Sequence, residues 1–138
     1  MRVGVLACLV VSLVAGCSGD TSSHLSIVAD CGKLVFPDDV ELVWYHREVM
    51  FGDQMTDAVV DIPAGEVEEF KKRSGMDKFD AGVPPGWREA WEDSGQAQLL
   101  MENAGNEHLV ELNKSPTRWV VIHTGGNESR RVFIRSGC

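Results

Sequence analysis

The chain has 138 residues and a formal net charge of −8, with 43% hydrophobic and 25% charged residues. This length predicts one small domain with a core of its own. The acidic balance argues against nucleic-acid binding, which needs a basic surface, and against lying flat on anionic lipid.

The first sixteen residues have the layout of a secretory signal. Met1-Arg2 supplies a positive end, residues 3–14 are nearly all apolar, and Ala15-Gly16 supplies small residues before Cys17. A helix that spans a bilayer needs about 20 residues, so this apolar stretch is too short to span one. The pattern predicts export of the chain and removal of residues 1–16 as a signal peptide.

The end of this segment, Val14-Ala15-Gly16-Cys17, resembles the lipobox of bacterial lipoproteins. The resemblance implies that Cys17 receives a thioether-linked diacylglycerol, that a signal peptidase cuts just before it, and that the new amino terminus is acylated. Several acyl chains on one residue hold a protein on a membrane far better than one chain does. We therefore expect a cell-envelope protein, anchored to the outer face of the cytoplasmic membrane or to the outer membrane. The small polar residues after Cys17 predict a flexible tether over residues 17–30.

The four cysteines differ in their expected roles. Cys8 leaves with the signal, and Cys17 carries the lipid by the resemblance above, so Cys31 and Cys138 are left near the two ends of the folded part. An exported chain meets an oxidising compartment, where two such cysteines pair. We predict a Cys31–Cys138 disulfide.

Residues 31–138 are predicted to form a single α+β domain that begins with a hairpin. Apolar, β-branched and aromatic residues favour strands at about 40–49 and 55–62, joined by the turn-type cluster "FGDQ". A short helix is predicted over residues 66–74, because acids lead, bases trail and Gly75 follows. The spacing of Trp87, Ala90 and Trp91 predicts a second short helix.

From residue 98 onward the hydrophobic period changes to two. Four short segments predict an antiparallel meander: "QLLME", "HLVELN", "RWVVIHT" and "RRVFIRS". The predicted fold class is therefore α+β, a mainly antiparallel sheet with one or two short helices on one face.

The last predicted hairpin suggests a binding surface. A two-residue turn at Gly126-Asn127 would place Val121 opposite Val132 and Trp119 opposite Ile134. One face would then collect a group of residues suited to an anionic or aromatic partner: Arg118, Val120, Ile122, Arg131, Phe133 and Arg135. The alternative is that these arginines pair with carboxylates of the same domain.

Aromatic and histidine residues give further candidates. Trp87 and Trp91, beside a Pro/Gly-rich loop, could form a platform for sugar, although large aromatic residues more often fill the core of a small domain. The histidines lack metal-ligand spacing, and no nucleophile elbow or phosphate-binding glycine loop is present in the sequence. We predict no metal, no cofactor and no catalytic residue from sequence motifs.

The mature domain also resembles small envelope lipoproteins of actinobacteria, through its early hairpin, the junction "IPAGEVEEF" and its late strands. That resemblance implies no particular activity. The leading hypothesis is a non-enzymatic, lipid-anchored binding module for a cationic envelope protein, of which a lysozyme-like hydrolase is one version. The alternatives are an envelope enzyme acting on glycan or peptide and a carbohydrate-binding module.

Overall fold

A computed structural model describes residues 19–101, 105–126 and 128–138. The elements in chain order are helix α1 (Gly19–Gly32), strands β1 (Glu41–Met50) and β2 (Asp53–Pro63), a 3₁₀ turn (Ala64–Glu66), helix α2 (Val67–Arg73), strand β3 (Asp80–Ala81), 3₁₀ segments Trp87–Ser94 and Ala97–Leu100, and strands β4 (Asn106–Glu111), β5 (Thr117–His123) and β6 (Ser129–Gly137). The predicted class, α+β with a mainly antiparallel sheet, is confirmed. The predicted signal peptide and Cys17 lie outside the described residues.

The six strands form one antiparallel sheet in the order β1-β2-β6-β5-β4-β3. The predicted first hairpin is confirmed, with Met50 paired to Asp53 across the turn. Strand β6 returns to lie between β2 and β5, so the last strand of the chain is a central strand of the sheet. This arrangement makes the hairpin β1–β2 one side of the sheet and leaves β1 as an edge strand.

Both faces of the sheet are covered, by different helical elements. On the first face, α1 and α2 bury a cluster that includes Val28, Phe70 and Ile134. On the second face, the 3₁₀ segments place Trp91 and Leu100 against Phe133. The helical segments predicted from the sequence therefore exist, but the second one lies on the opposite face from α2.

Residues 19–30 are helical, so the prediction of a flexible tether over 17–30 was wrong for this part. Although the segment is mostly polar, the apolar residues Leu25 and Val28 lie three positions apart, on one face of the helix. Val28 is completely buried against the sheet. The His24 ring also stacks on Tyr45 of β1, with 4.2 Å between ring centroids. Helix α1 thus belongs to the domain, which begins earlier than the predicted boundary at residue 31.

The predicted disulfide is confirmed. Cys31 and Cys138 are bonded across 107 residues of sequence, with their Cα atoms 5.4 Å apart. The bond joins the end of α1 to the residue after β6. Gly32 permits this close approach, because a Cβ at that position would lie 2.6 Å from Ser136 Oγ.

The C-terminal meander has three strands rather than four. Residues 98–100 of the predicted first strand, "QLLME", belong to the 3₁₀ segment Ala97–Leu100 instead, because Ala97 and Leu100 are both buried and Leu100 packs in the second-face core. That spacing of three is helical, and burial of these two side chains outweighs the strand preference of the segment.

The register of the last hairpin also differs from the predicted one. Strands β5 and β6 pair Val121 with Phe133 and Trp119 with Arg135, one residue away from the predicted partners. A slip of one residue exchanges the faces of a strand. Arg118 therefore lies on the first face, while Arg131, Phe133 and Arg135 lie on the second.

Candidate functional site

The arginines on the second face are bound by carboxylates of the neighbouring strand. Arg131 makes two hydrogen bonds of 2.9 Å to Asp61, and Arg135 makes bonds of 2.6 and 2.9 Å to Asp57. Each pair joins residues that are directly opposite on β6 and β2. Hydrogen bonding to Asp61 and to Asp57 raises the pKa of Arg131 and of Arg135, respectively. The arginines are thus components of the sheet, and the predicted anion-binding surface does not form.

Arg118 is buried on the first face and hydrogen-bonds to several secondary-structure elements. Its guanidinium donates to Glu111 Oε1 and to the Ser74 carbonyl, both at 2.7 Å, and reaches the Gly32 carbonyl at 3.4 Å. It therefore connects β4 and β5 with the carboxyl ends of both α-helices. Burial alone would raise the pKa of Glu111, but hydrogen bonds from Lys114 and Arg118 outweigh it and lower that pKa.

The tryptophans proposed for sugar binding fill the second-face core. Trp91 is completely buried, and its Nε1 donates to the Ile134 carbonyl at 3.1 Å. Trp87 is 8% exposed and stacks on Trp119, with 4.9 Å between centroids and 5° between planes. Phe133 is also fully buried. Neither Trp87, Trp91 nor Phe133 presents a ring face to solvent.

The histidines of the sheet have structural partners. His108 Nδ1 lies 2.8 Å from the Gly82 carbonyl, and His123 Nδ1 lies 3.0 Å from Asn106 Oδ1. Within the described parts of the chain, no group of three or more potential ligands is arranged to hold a metal ion.

An acidic cleft that was not predicted from the sequence lies at one end of the hairpin β1–β2. Its volume is about 170 Å³, and its charged lining consists of Asp38, Asp39, Glu66, Glu69 and Arg73. We call these residues the acidic cleft. Asp38, Asp39 and Glu69 are exposed, while Glu66 is half-buried, and its Oε2 is buried without a hydrogen-bond partner among the described residues.

The position of the acidic cleft follows from hairpin geometry. Strand β1 begins where β2 ends, with Glu41 paired to Asp61. The segment before β1 and the segment after β2 must therefore be neighbours, and each carries acids in the sequences "PDDVE" and "GEVEEF". The two acidic runs, read together with the predicted hairpin, would have predicted this site.

A second concave surface lies at the opposite end of the same hairpin. It is an open groove of about 520 Å³, lined by Met50, Phe51 and Met55 on one side and by Lys114 and Thr117 on the other. Arg135 also lines the groove, and its guanidinium lies 5.7 Å from the Trp119 ring centroid. Arg135 is already held by Asp57, and Glu48 and Asp53 also line the groove, so it combines exposed apolar side chains with charges of both signs.

Comparison with known proteins finds no matching family model, no similar curated protein and no similar solved structure. Among the helices of the described chain, none combines the length and the apolar character that crossing a membrane requires.

Proposed function

We propose that this chain is a lipid-anchored cell-envelope protein that serves as a non-enzymatic binding module and captures a cationic protein partner. The observation that supports this proposal best is the acidic cleft, in which four carboxylates converge with one guanidinium. The lipid anchor rests on the lipobox resemblance at Cys17.

The charges of the domain favour a cationic partner. Three of the four arginines on the C-terminal strands, Arg118, Arg131 and Arg135, are bound by Glu111, Asp61 and Asp57, whereas Arg130 donates to the Gly126 and Ser129 carbonyls. Those three arginines are thus neutralised inside the domain, while Asp38, Asp39 and Glu69 of the cleft are exposed to solvent. A concave surface lined by charges of one sign concentrates counter-charged partners and speeds their association.

The cleft suits the head group of a basic side chain. Glu66 Oε2 is buried with its hydrogen-bonding capacity unused among the described residues, and Asp38 and Asp39 lie at the rim. A lysine or arginine head group offers several N–H donors and a full positive charge to such a set of acceptors. A basic surface residue of the partner would therefore be the central contact.

The test is affinity capture from envelope extract with detergent-solubilised full-length protein. We expect a cationic protein to be recovered at low salt and lost at high salt, because exposed charges are screened. The variant D38N/E66Q/E69Q removes three cleft charges and is expected to lower recovery at least tenfold, which corresponds to about 1.4 kcal/mol.

The matched control is E89Q/E92Q/D93N, which removes three exposed carboxylates from the 3₁₀ segment on the second face. Its net charge equals that of the cleft variant, and we expect recovery to change less than twofold. Equal losses in both variants would contradict a site at the cleft. Recovery of no partner, together with hydrolysis of purified wall material by the protein, would contradict the binding function itself.

A further inference from the structure

The tip of the hairpin β1–β2 combines full exposure with an unfavourable backbone conformation. The turn consists of Phe51 and Gly52, with φ angles of +51° and +86°. Such left-handed turns favour Asn, Asp or Gly at the first position, and a bulky side chain is disfavoured there. Phe51 is nevertheless present and is 103% exposed, so its ring contributes nothing to the core.

Exposed apolar side chains concentrate on this strand and its turn. The large hydrophobic residues exposed on the described surface are Val43, Val49, Met50, Phe51, Met101, Val110 and Leu112. The first four lie within nine consecutive residues of β1 and its tip. The tip also extends past the pairing of β2 with the end of the chain, which stops where Gln54 and Cys138 exchange backbone hydrogen bonds. An apolar cluster of this kind on a projecting turn marks an interaction site.

Charged side chains of both signs lie beside the apolar tip, and the acids among them are Glu48 and Asp53. Lys114 lines the groove beside Phe51, and Lys33 donates to the Ser115 carbonyl at the same end of the sheet. Arg47 lies on β1 and donates to Gln54 at 2.7 Å. Lysine and arginine beside exposed apolar residues can extend their charged ends into the head-group region of a bilayer while their aliphatic stems stay with the apolar residues.

The lipid anchor would hold the domain close to a bilayer on the β1 side. Only Ser18 separates Cys17 from Gly19, the first residue of α1, so the two span at most about 7 Å of extended chain. Helix α1 ends near β5 and β6, where Arg118 reaches the Gly32 carbonyl, and His24 lies over Tyr45 of β1. The first half of α1 therefore lies beside the edge strand that leads to the tip, and the length of the intervening chain limits the distance between the lipid and the start of α1.

We propose that the hairpin tip, Val49, Met50 and Phe51, inserts into the interfacial region of the bilayer that holds the lipid of Cys17. This inference rests on the proposed lipid anchor. The tip lies about 20 Å along β1 from Tyr45, at 3.3 Å per residue. The acidic cleft lies at the opposite end of the hairpin, so tip insertion would hold its carboxylates away from the lipid head groups and turn them toward solvent.

The test uses full-length lipidated protein in phosphatidylcholine vesicles. Phe51→Cys is labelled with the environment-sensitive fluorophore NBD, and Met101→Cys carries the same label as a control. Met101 is also exposed, at 66%, but lies near the opposite end of the sheet. We expect the label at position 51 to shift to shorter wavelength and to lose at least half its emission to brominated lipid, and the label at 101 to change by less than a tenth.

Vesicle flotation distinguishes a failure of the proposed lipid anchor from a failure of the proposed tip insertion. Protein that fails to float with the vesicles would overturn the lipid anchor and the tip insertion together. Protein that floats while both labels stay in water would overturn tip insertion alone. The second measurement uses unlabelled Phe51→Ser, which keeps the rest of the hairpin sequence intact, in the detergent capture experiment. Loss of the cationic partner in this variant would show that the tip binds protein. That result would also overturn tip insertion.

Discussion

Replacing Cys31 and Cys138 with serine is expected to lower the free energy of unfolding by about 4–5 kcal/mol, the entropic value for a closed loop of about a hundred residues. The bridge spans 107 residues and joins the end of α1 to the end of β6. Without it, the unfolded chain regains the freedom of nearly the whole domain. The loss is measured by urea unfolding, with Trp91 as a fully buried reporter.

The control for this prediction is reduction of the wild-type protein, which should reproduce the loss. The same reductant should leave the Cys31→Ser/Cys138→Ser variant unchanged. A change in unfolding free energy below about 1 kcal/mol, a typical value for a point substitution, would contradict the structural role given to the bridge.

Replacing Arg118 with methionine is expected to destabilise the domain by about 3–5 kcal/mol, because it removes one partner of a buried ion pair. Methionine keeps most of the aliphatic volume, so the change isolates the guanidinium. Glu111 would be left buried, and the Ser74 and Gly32 carbonyls would lose their donor. The measurement is urea unfolding at pH 7.

The matched control is Arg88→Met, which removes the exposed pair with Glu92 at 3.6 Å. Exposed pairs contribute about 0–1 kcal/mol, so the control should stay within that range. The double variant Arg118→Met/Glu111→Gln should lose less than the sum of the single changes, because it leaves no buried carboxylate whose remaining partner is the exposed Lys114. Additive losses would contradict a coupled pair.

The pH dependence gives a second readout of the same pair. The pKa of Glu111 is below its ordinary value of 4.5 in the folded protein. Its contribution to stability is therefore present above about pH 4.5 and is lost as the pH falls through the folded pKa. Since a protonated Glu111 no longer needs a cation, the deficit of Arg118→Met should be smaller at pH 3 than at pH 7.

The parts of the fold that were predictable depend on local patterns. Alternating apolar residues placed β1 and β2 within a residue or two of their ends, and the charge order before Gly75 placed α2. The disulfide followed from the expected export of the chain, which assigns other fates to Cys8 and Cys17. These inferences needed no knowledge of which strands are neighbours.

The parts that were not predictable depend on long-range packing. The register of β5 and β6 was inferred from an assumed two-residue turn, whereas β6 also pairs with β2 through Asp57–Arg135 and Asp61–Arg131. Helix α1 was missed because its burial rests on only a few apolar side chains and on a disulfide at its end. The acidic cleft, likewise, joins segments that are apart in sequence and adjacent only once the hairpin has formed.

The proposed role of the acidic cleft depends on a lipid anchor that holds the domain at a membrane. The central claim is therefore that Cys17 is covalently modified by lipid. Intact-mass analysis of protein purified from membranes measures this modification directly. We expect a chain that begins at Cys17 and carries the added mass of a diacylglycerol and an acyl group. A chain that begins at Met1, or an unmodified thiol at Cys17, would contradict the account.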